Sequence, residues 1–557
     1  MKFEPKYKKL IWGIALVVLI SLFFTGIIVT RLIKETNNRI ETHWFFAESV
    51  RTGQPVVLKD AYIISNEEGV LKFIYDYQTY EVDGSLSEPY FGVANIMING
   101  ADIKKISVKP DFIEDTLMSY TENTIGLKET GEVSRKDSVP VYKLINNEVT
   151  QVEWNEFIIG VSNIRCVMEE GSVSAILIEN EVVPSEVRVV LKNGGNLTYS
   201  TLFLQKVSDG TIINVDAMMK ANGLEVYEIS DPQGLIICDE NGQASKSAYE
   251  GSFRVLKTEE GMVLINIVPM ETYIKYVLPS EMQTNFAHEA LKAQAVCART
   301  YAYAQMKSQK YAMYGANLDD STSYQVYNSF GRYSQTDTAV DETIGEVISC
   351  NGKLITCYYY STSPGVTNDM SSWESATPEY IHIQGMDAFS GLDLSNDVDF
   401  SNYMRSETTC FDSASPMYRW KAILDISDVK EDEYGLLKSI EIKERNQAGF
   451  VTALELVYED EMITLKNENN IRTVLGKYLQ ETIQNNENIR TDYTLIPSAC
   501  FEVIEQSDEK IVLRGGGFGH GIGMSQYGAK AMAEAGYNYK QIIDYYYKNV
   551  IVKAVQN

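Results

Sequence analysis

The chain has 557 residues, 45% of them hydrophobic, and a net charge of −27. The length is too great for one compact domain and suggests about three or four, while the hydrophobic content excludes disorder as the default. The acidic balance excludes nucleic acid as a partner, because phosphate binding needs a basic footprint. Seven cysteines are scattered without a CxxC pair, which is not the pattern of a disulfide framework. Cys350 and Cys357 are close enough to pair across a hairpin, but the reading preferred for most of the cysteines is that of small buried hydrophobes.

Residues 1–9 form a basic tail containing Lys2, Lys6, Lys8 and Lys9. Leu10 to Thr30 carries no charge and is long enough to cross a hydrocarbon core of about 30 Å as a helix. The positive-inside rule then predicts a single-pass cell-membrane protein with a cytoplasmic N-terminus and the bulk of the chain extracytoplasmic. A cleaved signal peptide is the competing reading, but no small-x-small site follows the apolar run. Residues 31–55 read as a polar juxtamembrane linker. Short strand patterns fill 56–245, with Asn-Gly turn signals at 99–100 and 222–223. This predicts one or two β-rich domains, without an active-site motif, for spacing or partner binding.

From residue 246 to 557 the pattern is mixed, so the predicted fold class is α+β. Residues 261–282 read as a strand, a short helix and a turn at Pro279. A strong helix follows, which Thr284 or Asn285 can cap. Strands return over 345–360, at 439–445 and at 450–458, and a helix is expected over Ile471–Thr482. The Gly-rich end, 514–536, leads into a helix from about Ser525 that closes at Gly536. That stretch lacks the Lys of a phosphate loop and the GxGxxG spacing of a dinucleotide site. Alternating glycines instead let backbone pass close to a ligand or another strand.

Three stretches, 277–302, 319–332 with 358–367, and 514–547, resemble the stage II sporulation protein D family in their order along the chain. The anchors are VLPSEM, DDSTSYQVYN and RGGGFGHGIGMSQYGAKAMAEAG. The resemblance implies a catalytic domain with a substrate groove and a lytic transglycosylase acting on peptidoglycan glycan strands. It also admits a wall-binding enhancer of an amidase, and an envelope-complex scaffold stands as a third alternative. Departures from the family pattern fall at Gln283, Tyr324 and Pro364. Some members hold a zinc by Cys and His after the catalytic helix. Residues 311–333 contain neither type, so no metal and no cofactor are expected.

Cleaving a glycosidic bond requires an acid that stays neutral near pH 7. By resemblance that acid is Glu281, within Pro279-Ser280-Glu281-Met282. Hydrolases add a second carboxylate. A lytic transglycosylase needs one, because the sugar's own C6 hydroxyl attacks and a 1,6-anhydromuramyl end forms. Glu281 reads as lying just before a helix N-terminus, whose dipole would lower its pKa, so desolvation must outweigh it. The expected substrate-binding residues are Ser280, Gln294, Arg299, Ser321, Gln325, Tyr327, Ser361, Ser363, His520, Ser525 and Gln526. Arg299 reads equally as a ligand for an acetamido or carboxylate group and as a buried tether. The serines read equally as sugar contacts and as turn caps.

Overall fold

The computed structural model describes residues 43–67, 69–83, 90–145, 148–180, 183–244, 247–328, 330–385, 391–406, 408–431 and 433–555. Internal contacts divide the chain into two units between Val182 and Val183. The change of sequence pattern near 245 marks where the motifs begin, and the contact boundary marks where the fold that carries them begins.

The first unit opens with helix α1, Trp44–Thr52, which buries Phe45 and Phe46 completely. They pack on a five-stranded antiparallel sheet ordered 78–83, 70–75, 56–67, 92–99 and 102–108. Leu58, Ile63, Leu71, Phe73, Ile96 and Ile98 complete that core. A seven-stranded sheet follows, ordered 148–152, 141–145, 172–178, 163–169, 112–120, 124–127 and 131–134. Tyr62, Ile74 and Val93 of the first sheet share a core with Tyr142, Val167, Ala175 and Leu177 of the second.

The second unit is built on a five-stranded sheet ordered 226–230, 252–258, 261–269, 186–191 and 318–319. A short helix α2, Val215–Asn222, falls in the chain between strands 186–191 and 226–230 and is capped by the Asn214 side chain. Strand 261–269 runs straight into α3, Met270–Glu281, and after six residues into α4, His288–Gln305. The buried face of α4 is rich in small residues, Ala290, Ala293, Ala295, Ala298 and Ala302. Small side chains let α3, α5 (Ser334–Asp341) and strand 346–350 approach it closely. Helix α6, Asp397–Arg405, packs Phe400 and Tyr403 with Val366 and Phe450. Two further sheets, spanning 420–515 and 430–466, share a core of Trp420, Leu424, Leu437, Leu454 and Leu513 with α7, Glu468–Gly476. Helices α8, Gln526–Glu534, and α9, Tyr539–Tyr546, return to α4.

Several expectations are corrected. The helix anticipated over Ile471–Thr482 ends at Gly476, and Leu479–Gln484 is a strand. β-branched Thr482 and Ile483 pair there with Ala422 and Lys421, as suits a pleated half-buried surface. Pro279 does not turn the chain, because α3 runs through it to Glu281. The next helix starts at His288 behind Ala287, with no side-chain cap from Thr284 or Asn285. Cys350 and Cys357 are both free.

The membrane-spanning helix and the single-pass placement derived from it are also corrected. Among the described residues no helix is long and apolar enough to cross a membrane. The apolar run 10–30, on which that expectation fell, lies outside the described residues. The architecture found is a β-rich first unit and a mixed α and β second unit.

The Gly-rich run acts as a packing track. Gly517, Gly519, Gly521 and Gly523 all adopt left-handed φ, between 80° and 110°. The run lies against 358–368, with Phe518 bonded to Thr362 in both directions and Asn368 N donating to Gly521 O. Strand 524–525 then pairs in parallel with strand 359–360. A Cβ on Gly523 would meet the Tyr358 carbonyl oxygen at 2.1 Å, and backbone cannot give way cheaply. Gly523→Ala is therefore expected to destabilise the protein by about 2–4 kcal/mol, read as a lowered denaturant midpoint with an unchanged slope.

Candidate active site

Glu281 is the last residue of α3, which reverses the dipole argument made from sequence. At a helix C-terminus the partial negative charge works against ionisation instead of favouring it. The carboxyl is largely desolvated by its surroundings, and that burial pushes its pKa up to about 7, against one opposing hydrogen bond. The bond is donated by Val326 N to Oε1 at 2.6 Å. Tyr273, Tyr301 and Tyr359 lie close enough for the Glu281 charge to raise their own pKa values, after burial, which is the larger cause.

Gln325 fixes this ring of phenols. It is fully buried, accepts from Tyr273 Oη at 3.2 Å, and donates to Tyr359 Oη at 3.0 Å and to Ala298 O at 3.1 Å. Residues 325–326 thus hold Glu281 from one side and its aromatic neighbours from the other. Gln294 lies one turn before Ala298 on α4, fully buried, and neither amide atom finds a partner among the described residues. Ser280 donates its hydroxyl to Tyr276 O at 2.8 Å.

Other expected site residues are engaged in the fold. Arg299 has no exposed surface. It forks onto Glu271 at 2.9 and 2.6 Å and donates to the carbonyls of Glu346 and Val340. Tyr327 donates to Asn266 Oδ1 at 2.7 Å in a buried cluster with Tyr273 and Tyr249. Ser321 donates to Asp319, which also accepts from Tyr311 Oη at 2.6 Å and faces Lys192 at 2.8 Å. Burial would raise the Asp319 pKa, but these donors hold it at about 2. Its lone pairs are occupied, which suits a structural anion and not a base.

A second buried carboxyl, Asp412, gathers Ser363 and Ser525. Ser363 N donates to Asp412 at 2.8 Å, and the Ser525 hydroxyl donates to the same oxygen. Ser525 also caps α8 by accepting from Gly528 N, and Ser361 O accepts from Ser525 and from Tyr527 N. Gln526, the first residue of α8, is buried. Burial outweighs these donors and raises the Asp412 pKa to about 7. No sequence signal marked Asp412, because it lies outside the three motif stretches and its partners are distant in the chain.

His520 ties the Gly-rich run to strand 359–360. Its Nδ1 accepts from Ile522 N at 3.0 Å, so Nε2 carries the proton and donates to Tyr359 O at 3.1 Å. Trp373 and Tyr360 pack on the ring, and burial lowers its pKa to about 4. His520 is a neutral positioning residue for the strand that carries Tyr359. Gln283 Nε2 reaches Tyr527 Oη at 3.4 Å and Phe286 packs edge-on to that ring. Among the described residues no three His, Cys, Asp or Glu side chains gather as a metal set.

A mixed α and β domain with one protonatable carboxyl at a helix end, ringed by phenols, defines a class of acid-bearing domain. Residues 258–349 match the family model for stage II sporulation protein, SpoIID, which places a SpoIID domain in this part of the chain. Residues 368–523 match a second model, a domain of unknown function, DUF8618. An uncharacterised protein of Brachyspira hyodysenteriae is 27% identical over 64% of this chain and 85% of its own. The amidase enhancer of Bacillus subtilis is 30% identical over 49% of this chain and 39% of its own. Stage II sporulation protein D of Bacillus subtilis is 28% identical over 50% of this chain and 73% of its own.

Two outcomes follow from this geometry. The raised Glu281 pKa means that stability linked to its protonation is complete below about 4.5 and is lost as pH rises through about 7. Relative to wild type, Glu281→Gln should therefore gain on the order of 1–3 kcal/mol between pH 5 and pH 8 in chemical denaturation. Arg299→Ala leaves Glu271 without its counter-charge and should cost about 3–5 kcal/mol, visible as a fall in melting temperature.

Proposed function

We propose that this protein is a cell-wall protein whose second unit cleaves peptidoglycan glycan strands as a lytic transglycosylase, with Glu281 as the single acid and base. The observation that carries this is the carboxyl of Glu281, raised to about 7 by burial at a helix C-terminus. A group with that pKa is substantially protonated at neutral pH and becomes a competent base once it has given up its proton. Glu281 would protonate the leaving glycosidic oxygen and then take the proton of the muramyl C6 hydroxyl as it attacks the anomeric carbon. Intramolecular attack has a high effective concentration and needs no positioned water.

The remaining carboxylates argue in the same direction. Asp319 is held ionised by Lys192, Ser321 and Tyr311, and Asp412 is enclosed by its donors with little exposed surface. Glu374 is exposed and ends a short turn of 3₁₀ helix in a left-handed conformation. A retaining or inverting hydrolase needs a second working carboxylate within about 10 Å. Gln294, buried with an unpaired amide, offers a donor and an acceptor to an acetamido group. A second reading, enhancement of a wall amidase without cleavage, is favoured by the similarity to the Bacillus subtilis amidase enhancer.

Glycan strands, with and without stem peptides, are the test substrate. The wild-type chain should release 1,6-anhydromuramyl ends that carry no label from ¹⁸O water, and Glu281→Gln should fold normally yet lose at least about 100-fold in rate. Label at the muramyl end would make the reaction a hydrolysis. No cleavage by wild type, together with stimulation of an added amidase, would favour the enhancer.

A further inference from the structure

A cavity of about 800 Å³ opens in the first unit, lined by residues of both of its sheets. This size lies within the range of small-ligand sites. Its floor is a closed network of charges. Asp60 interrupts strand 56–67 with a left-handed φ of 59°, at a register slip between Leu58 and Ala61. The bulge directs its buried carboxylate onto buried Lys109, which also pairs with Glu169 at 2.9 Å. Glu169 in turn holds Lys136, and Asn95 bridges Asp60 N and Glu169. Tyr142 donates to Asp60 O at 2.7 Å, and Gln151 accepts from Tyr77 N at 3.0 Å. Every buried charge is therefore satisfied from within, and the floor is rigid.

The rim differs. Lys59, Asp76, Asp137 and Ser138 line the same cavity with exposed side chains, and Asp137 lies within electrostatic reach of Arg135. Asp76 and Tyr77 form the tip of the hairpin between 70–75 and 78–83 with φ of 50° and 61°. This is a turn geometry that favours Asn-Gly, and a Tyr in it is held against its preference. Strained backbone of this kind concentrates at ligand sites. The rim thus presents exposed charges of both signs, Lys59 with Asp76 and Asp137, over a floor with no charge to spare. Val57, Tyr75 and Pro140 supply apolar wall between them. Such a surface opposes a polyanion and also a neutral apolar molecule, and it complements a ligand of both signs.

We propose that this cavity is a binding site for a short peptide carrying both a free ammonium and a free carboxylate group. Wall stem peptides and unrelated short peptides share that chemistry. The proposal stands apart from the reaction assigned to Glu281, because it requires no cleavage. Calorimetric titration of the full chain separates the sources, using the peptide Ala-Glu-Lys, peptides released from purified cell wall, and an acetylated, amidated Ala-Gln-Met control. One or both charged probes should saturate, and the neutral control should bind at least tenfold more weakly. Binding of the wall peptides alone assigns the site to stem peptides, and binding of both assigns it to the general class. Lys59→Gln and Asp137→Asn alter exposed side chains, should keep the wild-type melting temperature, and should each weaken binding about tenfold. Failure of both charged probes to saturate, equal binding of the neutral control, or unchanged binding in both variants would overturn the proposal.

Discussion

Arg299 has no surface, and its guanidinium is shared among the Glu271 carboxylate of α3 and the carbonyls of Val340 and Glu346. A buried cation tolerates no loose partner, since the attraction must offset a desolvation cost of several kcal/mol. The fork therefore fixes α3 against α4, and with it the angle at which Glu281 leaves the end of α3. Gln325 can then be spent on the phenols, and the carboxyl is held out of water without a cation beside it. Had Arg299 faced Glu281 directly, the acid would have been held ionised and useless for proton delivery.

The same unit shows two ways of treating an acid. Asp319 receives a lysine and three neutral donors and falls to about 2. Asp412 receives neutral donors only and rises to about 7. Glu281 has a single backbone donor and also rises to about 7. The presence of a cation, more than the number of hydrogen bonds, separates these outcomes. Of the two raised acids, Glu281 is partly exposed, whereas Asp412 is buried behind Ser363, Ser525 and α8.

The segments that carry the candidate site were legible, but Glu281 itself was singled out by resemblance to the family's motif and not by residue type. The α4 pattern, the Ser-Glu-Met corner and the Gly-rich run each pointed to the segment that carries them, because their logic is local. The direction of the dipole at Glu281 was not legible. Pro279 suggested a break where the helix continues for two more residues, and only tertiary packing decides that. The role of Arg299 as a tie depends on Glu271, which lies 28 residues earlier and outside any motif. Asp412 was invisible for the same reason. The strand over 479–484 was misjudged because α7 before it is strongly amphipathic, while its own identity comes from pairing with Trp420–Asp425.

The parallel pair of Tyr359–Tyr360 with Met524–Ser525 bears on the order in which the protein becomes active. His520 and the Tyr359 carbonyl that it holds are 161 residues apart in the chain, and Gln283 and Tyr527 are separated by 244. Contacts of such long range form late, because loop-closure entropy must be met before they contribute. A chain emerging from the ribosome thus presents Glu281 well before the strand that orients its neighbours. The acid exists early, but the shaped, dry site does not. The setting of the carboxyl is thus completed by the last stretch of the chain, and a truncated copy lacking that stretch keeps Glu281 without it.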